Sequence, residues 1–223
     1  MRIIIVRHGD PDYARDALTE LGKKQAAAVA ERLMDEDIEE IYSSPLGRAK
    51  ETAEAFAELS GIRSIHMLDF MREIRFGFGE ALYETGNPWE EVDKMAEEGK
   101  EILDPNWHEW PFFKENIATV DVDDIASATD DWLRELGYER EGLYYRCTRE
   151  DDTEHTVALF CHGGSGTAMI ARILNLPFPY LCAIIRMRHT SITTIRMEKI
   201  PGSKITPVLE LTGDDRHIRG IEV

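Results

Sequence analysis

The chain has 223 residues, of which 43% are hydrophobic, and carries 26 Lys and Arg against 43 Asp and Glu, for a net charge of −17. This length suits one domain with a sizeable core. The acidic balance disfavours nucleic acid and anionic membranes as partners, because both bind positive surfaces. No apolar run approaches the roughly 18 residues that a membrane helix needs, so we expect a cytoplasmic protein. Nothing in the composition specifies an oligomeric state.

The first element is a short apolar run, IIIV at residues 3–6, followed by RHGD at residues 7–10. Four β-branched residues bounded by polar residues and a glycine predict a strand that is buried on both faces, as in a parallel sheet. The run is too short for a secretory signal peptide and lacks its cleavage pattern. Arg7 and His8 should therefore lie at the carboxyl end of a buried strand, where open α/β sheets bind ligands.

Segments of strand and helix character then alternate, as in an α/β layered architecture. Thr19 is expected to cap a helix whose apolar residues recur at helical spacing up to Leu33. A strand is predicted at residues 38–43 and another at 64–68. Between them, Ser44 and Pro45 are expected to cap and open a helix that runs from residue 46 to about 59.

Residues from about 70 to 116 break this alternation with glycines, prolines and an aromatic cluster. We expect an insertion or lid at about 78–117 over the sheet edge, within a single domain that covers residues 1–223. An amphipathic helix with apolar residues from Ile125 to Leu136 should end at Gly137. The run TVALFC at 156–161 predicts a second buried strand, with a helix at 167–174 that Ser165 would cap. Final strands are expected at 191–197 and 208–211.

Three polar clusters each follow a predicted strand: RHG at 7–9, SSPLGR at 43–48 and HGG at 162–164. If these strands are parallel and adjacent, the clusters meet at one sheet edge. Arg7 and Arg48 offer guanidinium forks that match phosphate oxygens. A neutral histidine can attack phosphorus, while a charged one can donate to its oxygens. Backbone N–H groups at Gly9 and Gly163 can approach an anion closely. These residue types predict a phosphoryl-binding site.

An enzyme that attacks phosphorus with His8 also needs an acid to protonate the leaving alkoxide. The segment LDFMREIRFG at 68–77 follows the third predicted strand and offers Glu73. On position alone, Asp69 is an alternative. A metal site built from His8, Asp10 and neighbouring polar residues is not expected, because the further His, Asn and Asp clusters of two-metal phosphoesterases are missing.

Four motifs in order resemble the histidine phosphatase superfamily, also called phosphoglycerate mutase-like: RHG at 7–9, SPxxRAxxTA at 44–53, REIxFG at 72–77 and HGG at 162–164. The resemblance implies a three-layer α/β/α fold with a mostly parallel sheet and a phosphohistidine on His8. Arg7, Arg48 and His162 would clamp the phosphoryl group, and Glu73 would act as acid and then base. The resemblance also implies that no metal or other cofactor is required, because the cationic side chains stabilise the charge.

The chain departs from the family pattern in two places. Residues 10–13 read DPDY where phosphoglycerate mutases typically carry Glu-Ser, and residues 78–81 read FGEA where Trp-Glu-Gly is frequent. Asp10 is expected to contact the substrate. Both departures favour a hydrolytic phosphatase over a mutase. The predicted function is a metal-independent phosphomonoesterase, with a small phosphorylated metabolite as the expected substrate. The alternatives are a phosphoglycerate-type phosphomutase and a poorly catalytic phosphate-binding regulatory module. Arg186, Arg188 and His189 are left outside the predicted site.

Overall fold

The computed structural model describes residues 1–198 and 200–221. Its strands are β1 Arg2–Arg7, β2 Pro11–Asp12, β3 Ala17–Leu18, β4 Glu40–Ser43, β5 Ile65–Met67, β6 Gly77–Phe78, β7 Ala81–Leu82, β8 Tyr138–Glu141, β9 Tyr144–Cys147, β10 Thr156–Cys161, β11 Ile192–Arg196, β12 Lys204–Ile205 and β13 Val208–Asp214. Its α-helices are α1 Glu20–Leu33, α2 Gly47–Ser60, α3 Pro88–Glu97, α4 Pro111–Glu115, α5 Ile117–Glu135, α6 Gly163–Leu174 and α7 Phe178–Ile184. Short 3₁₀ helices lie at Asp69–Met71, Trp107–Glu109 and Arg216–Ile218.

A six-stranded sheet forms the centre, in the order β13-β11-β1-β10-β4-β5. The pairs β1·β10, β10·β4 and β4·β5 are parallel, while β11 pairs antiparallel with β1 and with β13. The two predicted buried strands, β1 and β10, lie side by side in the middle of this sheet. Their uniformly apolar sequences fit that position, because a central parallel strand is covered on both faces.

Two apolar cores lie on opposite faces of the sheet. Successive side chains of a strand point to opposite faces, and accordingly Ile3 and Ile5 belong to the larger core while Ile4 and Val6 belong to the smaller one. The larger core includes buried residues of α5 and α6, and the smaller one those of α1 and α2. This arrangement confirms the predicted three-layer α/β/α fold with a mostly parallel sheet.

The segment 78–117 packs into the larger core. Val92, Trp107 and Phe113 are buried in the same cluster as Ile3. The side chain of Asn116 joins this segment to α5: its Oδ1 accepts from the N–H groups of Gly77 at 3.2 Å and Ala118 at 3.0 Å. Its Nδ2 donates to the Gly86 carbonyl at 2.7 Å. That residues 78–117 act as a lid stays a prediction.

Three helix starts differ from the sequence prediction. Helix α5 begins at Ile117, about eight residues before the predicted apolar stripe, because Asn116 caps it there. Helix α6 begins at Gly163 with His162 at the cap position, so the prediction that Ser165 caps it is wrong. The cap residue of α2 is Leu46, which makes the predicted cap at Ser44 wrong as well.

The hairpin β8–β9, extended by β12, was not predicted. Its strands carry exposed charged and aromatic residues and lack the continuous apolar run that identified β1 and β10. In the part of the chain that the structure describes, no single helix is long and apolar enough to cross a membrane; α6 and α7 pass that test only as a pair bent by 116°.

Candidate active site

The parallel pairing of β1 with β10 brings the two histidine motifs together. Arg7 lies opposite Cys161 in the register, so His8 and His162 leave the sheet at the same edge. Their ring centroids are 5.1 Å apart. Strand β4 pairs with the other side of β10, and Ser44, which follows β4, has its Oγ 2.8 Å from His162 Nε2. The three polar clusters expected to meet at one sheet edge therefore do so.

His8 is almost fully buried, with 1% of its surface exposed. Its Nδ1 lies 2.7 Å from the carbonyl oxygen of Gly9. Because a carbonyl can only accept, Nδ1 carries the proton and Nε2 of the neutral ring keeps its lone pair. Burial, with the nearby charges of Arg7 and Arg48, lowers the pKa of His8 to about 3. His8 is therefore a neutral imidazole at physiological pH, with Nε2 free to act as a nucleophile.

Arg48 is the second residue of α2 and is only 8% exposed. Asp16, in the loop that connects β2 and β3, pairs with it: Oδ1 lies 2.5 Å from Arg48 Nη1, and Oδ2 accepts from the Gly47 N–H at 2.7 Å. The ring of Tyr13 lies over the guanidinium, 5.4 Å from centroid to Cζ. Asp16 thus does what was predicted of Ser44, since its carboxylate satisfies an N–H group of the first turn of α2.

Three buried nitrogen atoms around His8 have no hydrogen-bond partner among the described residues: Arg7 Nε, Arg48 Nε and His162 Nδ1. Arg7 is fixed at its other end, where Nη1 donates to the Met187 carbonyl at 2.7 Å. Buried nitrogen atoms without partners are rare in proteins, because leaving them unpaired costs about 1–3 kcal/mol each. Three of them beside one imidazole fit a site that receives acceptor oxygen atoms, as a phosphoryl group supplies.

His162 is completely buried at the amino-terminal end of α6. Burial lowers its pKa well below 6.5, and the nearby His8, Arg48 and Arg7 lower it further. The ring is therefore neutral before an anion arrives. A bound dianion would favour the protonated form of this imidazole, since an opposite charge close by favours the charged state.

Glu73 lies against the first turn of α6. Its Oε1 accepts from the N–H groups of Gly164 at 2.9 Å and Ser165 at 3.0 Å. Burial raises the pKa of this carboxyl, although the backbone N–H groups of Ser165 and Ile74 and the charges of Arg7 and Arg48 act in the opposite direction. A raised pKa suits a group that must give up a proton and then take one back.

The alternative acid, Asp69, is not near these groups. Its side chain is 84% exposed and forms an ion pair with Arg72 at 3.0 Å. Ser165, the predicted cap of α6, instead donates its hydroxyl to the Met71 carbonyl at 3.1 Å. That bond ties the loop that carries Glu73 to the helix end that the carboxylate contacts.

Gly9, Asp10 and Gly163 occupy different surroundings. The Gly9 N–H donates to Thr52 Oγ1 at 3.1 Å, and a Cβ at this position would lie 2.6 Å from the Gly22 carbonyl oxygen. Asp10 Oδ2 accepts from Thr19 Oγ1 at 2.6 Å. A Cβ on Gly163 would meet only Arg7, at 3.6 Å from Nε. Substrate contacts by these three residues stay predictions.

His189 was left out of the predicted site but lies next to its centre. Its ring centroid is 5.7 Å from that of His8, and its Nδ1 is 3.7 Å from Asp10 Oδ1. Burial and Arg7 lower the pKa of His189 to about 4. The signal that could have identified His189 is its place just before β11. Because β11 runs antiparallel to β1, the loop before β11 lies at the carboxyl end of β1, where His8 is.

A cavity of about 370 Å³ opens beside this cluster. It is lined by Arg7, Glu73, Trp89, Gly163, Gly164, Thr167, Arg186, Met187 and Arg188. Within residues 1–198 and 200–221, no group of three or more His, Cys, Asp and Glu side chains is arranged to hold a metal ion. Arg7, Arg186 and Arg188 are the cationic side chains among the residues that line the cavity.

Comparison with known proteins agrees with the geometry. The sequence model of the histidine phosphatase superfamily (branch 1) matches residues 3–201. A probable phosphoglycerate mutase GpmB from Yersinia enterocolitica is 24% identical over 227 residues, which cover 98% of this chain and 95% of that protein. The protein of the same name from Proteus mirabilis is 25% identical over 99% of this chain and 96% of its own.

Solved structures share the fold. A phosphoserine phosphatase variant from Entamoeba histolytica, in complex with phosphoserine, superposes with a TM-score of 0.64 at 22% identity over 97% of this chain and 98% of that one. The mycobacterial glucosyl-3-phosphoglycerate phosphatase in complex with VO₃ superposes with a TM-score of 0.63 at 25% identity, over 95% of this chain and 98% of that one. Since the family match runs through all four sequence motifs and most of the chain, this protein belongs to the histidine phosphatase superfamily.

Proposed function

We propose that this protein is a metal-independent phosphomonoesterase that acts on a small phosphorylated metabolite through a phosphohistidine on His8. The observation that carries the proposal is the neutral imidazole of His8, whose Nδ1–H donates to the Gly9 carbonyl, surrounded by unpaired buried nitrogen atoms of Arg7, Arg48 and His162. A nucleophile and a set of oxygen-binding donors are what phosphoryl transfer needs from a protein.

In the first half-reaction, His8 Nε2 attacks phosphorus and the bond from phosphorus to the ester oxygen breaks. The protonated Glu73 carboxyl gives its proton to the leaving alkoxide, so the free alcohol departs. Arg7, Arg48 and His162 donate to the phosphoryl oxygens and stabilise the charge that spreads over them in the transition state. Two guanidinium groups, together with the His162 ring once a bound dianion favours its protonated form, supply the positive charge that metal ions provide in other phosphoryl-transfer enzymes.

In the second half-reaction, water attacks the phosphohistidine. The Glu73 carboxylate, now ionised, takes a proton from that water, and the bond from His8 Nε2 to phosphorus breaks. Inorganic phosphate leaves, Glu73 is again protonated and His8 returns to its neutral form. The raised pKa of Glu73 supports both roles, because its proton affinity lies closer to that of the groups it serves than an exposed glutamate's would.

The test is hydrolysis of p-nitrophenyl phosphate with and without EDTA across about pH 5–8, a range in which His8 stays neutral because its pKa is about 3. Wild type, His8→Ala and the control His108→Ala are compared; His108 is 40% exposed and pairs with Asp123 away from the site. We expect EDTA-resistant turnover that the control keeps and His8→Ala loses, together with an acid-labile phosphoenzyme that only proteins with His8 form. Wild-type activity in His8→Ala would refute the mechanism, and turnover lost to EDTA would refute its metal independence.

A phosphomutase is the second candidate, because the Yersinia and Proteus relatives that cover nearly the whole chain carry the name probable phosphoglycerate mutase. A mutase returns the phosphoryl group from His8 to a hydroxyl of the substrate, whereas a phosphatase passes it to water. Incubation with phosphoglycerate separates the two: isomerisation without phosphate release identifies a mutase. A merely binding module is disfavoured, because Glu73 lies in the cavity with Arg7 rather than away from it.

A further inference from the structure

A short extended segment after α7 borders the active-site cavity. From Ile185 to Arg188 the residues are alternately buried and exposed, which is the two-residue period of an extended chain. Met187 is buried, and its carbonyl oxygen accepts the hydrogen bond that fixes Arg7. Arg186 and Arg188, the residues before and after Met187 in the chain, are exposed, and both line the cavity. The same segment that anchors Arg7 thus brings two further guanidinium groups to its cavity.

The charge of this cavity is opposite to that of the chain. Three arginines and one glutamate line it, whereas the whole chain has a net charge of −17. Its volume of about 370 Å³ lies within the range of small-molecule sites. The mechanism uses Arg7 and Glu73 but gives no role to Arg186 or Arg188. Two arginines at the rim of an active-site cavity in so acidic a protein need a different explanation.

Both rim arginines keep donors available for a ligand. Arg186 forms an ion pair with Asp93 through Nη2, and Arg188 with Asp215 through Nη1 at 3.2 Å. Exposed pairs of this kind contribute about 0–1 kcal/mol, so a second anion competes with them at little cost. A guanidinium group offers five N–H donors, and each arginine uses one of them in its pair. The ring of Trp89, on the first turn of α3, supplies an apolar wall to the same cavity.

We propose that Arg186 and Arg188 make the enzyme selective for phosphomonoesters whose alcohol carries a second anionic group, a carboxylate or a phosphate. The inference rests on the proposed function, because it takes the phosphoryl end of the ester to be held by Arg7. The rim arginines then bind the other end and act on specificity, while the chemistry stays with His8 and Glu73. The two guanidinium groups can bind a carboxylate or a phosphate in the same way, and the experiment distinguishes these two anions.

The test compares kcat/KM for three esters of equal chain length: n-propyl phosphate, the phosphate ester of 3-hydroxypropanoate and propane-1,3-diyl bisphosphate. Wild type should prefer the carboxylate or the bisphosphate over n-propyl phosphate by about tenfold or more, as expected of one hydrogen bond between charged groups. Arg186→Gln and Arg188→Gln should each reduce that preference, and the better anionic ester identifies the second group.

The matched control is Arg219→Gln. Arg219 pairs with the same Asp215 as Arg188, at 3.4 Å, but does not line the cavity. The control removes an equal charge nearby and should keep the wild-type preference. Arg186→Lys and Arg188→Lys keep the positive charge and should therefore retain most of the preference for the anionic esters. Melting curves of all variants show whether each is folded.

The outcomes separate this inference from the proposed function. Turnover of n-propyl phosphate that depends on His8, with no preference for either anionic ester, would overturn the inference and leave the phosphatase standing. A preference that both glutamine variants retain would overturn it too. If no ester is hydrolysed, the proposed function fails, and calorimetric binding of the same esters decides the inference: equal affinity for all three refutes it.

Discussion

The protonation state of His8 follows from its position. The ring is buried behind the sheet edge with Arg7 and Arg48 close by, and these surroundings lower its pKa to about 3. The Gly9 carbonyl selects the tautomer with the proton on Nδ1. An ordinary exposed histidine would be partly protonated near neutral pH, whereas His8 needs no separate base to free its nucleophilic nitrogen. The same residue type thus gains a reactive form from burial and two neighbouring charges.

Two glycines of the site give opposite expectations for the same substitution. In Gly9→Ala the new methyl group would lie 2.6 Å from the Gly22 carbonyl oxygen, and a backbone atom cannot move aside without shifting α1. We expect a loss of about 1–3 kcal/mol in the free energy of unfolding, the usual cost of overpacking. Gly163→Ala meets only Arg7, at 3.6 Å, and should keep its stability.

Urea unfolding of both variants checks this expectation. Equal stability of Gly9→Ala and wild type would show that the contact between the His8 loop and α1 is looser than the distance indicates. If Gly163→Ala keeps its stability, as expected, but loses turnover of p-nitrophenyl phosphate, the predicted contact of Gly163 with the substrate gains support.

Sequence patterns predicted which polar clusters meet at the sheet edge, but not which residues hold them in place. RHG and HGG could be located because each follows an apolar run that predicts a buried strand, and parallel strands bring such ends together. The residue that pairs with Arg48 could not be predicted from such a pattern. Asp16 is 32 residues away in the chain and reaches α2 through a hairpin whose strands have two residues each. His189 was missed for a similar reason, since its neighbour His8 is far away in sequence.

At the scale of elements, the amino-terminal end of α2 depends on a carboxylate from another segment. Asp16 accepts from the Gly47 N–H and pairs with Arg48, so one side chain both caps the helix and orients a residue of the site. Asp16 also has a positive φ of 48°, a conformation that aspartate and asparagine adopt more readily than most residues. The start of the helix and the position of the guanidinium are therefore coupled.

Asp16→Ala should lower the free energy of unfolding by about 0.5–2 kcal/mol, the usual effect of losing a cap. It should also reduce kcat/KM for p-nitrophenyl phosphate, because Arg48 loses the partner that orients it. Asp16→Asn keeps an oxygen for Gly47 and should recover most of the stability. Asp131→Ala, which removes an exposed pair with Arg134 on α5, is the control. Full activity in Asp16→Ala would show that Arg48 is held by the rest of the site.

Asn116 has a comparable role for the segment 78–117. It caps α5, and it also bonds to Gly77 before this segment and to Gly86 within it. Because the side chain is 2% exposed, water cannot replace these bonds easily. Asn116→Ala should cost about 1–3 kcal/mol, and limited proteolysis should then cleave within residues 78–116 sooner than in wild type. Unchanged cleavage would show that the apolar contacts of Val92 and Trp107 hold the segment without Asn116.

Elements with a continuous apolar run or a clear helical stripe were predictable, and elements with irregular composition were not. Strands β1 and β10 and helix α1 agree with their patterns to within a few residues. The first turn of α6 reads GGSG, and glycine is a poor helix former, so the pattern placed the start four residues late. That turn is stabilised by the carboxylate of Glu73, a contact that no local pattern reveals.

The whole molecule keeps several histidines neutral in its folded state. The pKa values of His8, His162, His189 and His217 are all lowered, chiefly by burial. In the unfolded chain these groups bind protons below about pH 6.5, while the folded state binds fewer. The free energy of unfolding should therefore fall as the pH drops from about 6.5, over a window that extends to about 4 for His189 and about 3 for His8. The raised pKa of Glu73 acts in the opposite direction.

His189→Gln tests this pH dependence without changing His8. The variant lacks one group that takes up a proton on unfolding, so its stability should fall less steeply between pH 6.5 and about 4. The difference in slope is at most about 1.4 kcal/mol per pH unit, the value for one proton. Urea unfolding at several pH values gives both curves. Parallel curves would mean that His189 is already free to protonate in the folded protein.

The central position of β1 has a consequence for how the protein is made. Both neighbours of β1 in the sheet, β10 and β11, come from residues 156–196. While the chain is being synthesised, β1 emerges before both of its partner strands and stays unpaired on both edges until β10 and β11 follow. Such long-range pairing slows folding and exposes apolar edges meanwhile. Nascent chains that stop before β10 lack His162 and both strands that pair with β1, so the cluster of His8 and His162 can form only after these later strands have joined the sheet.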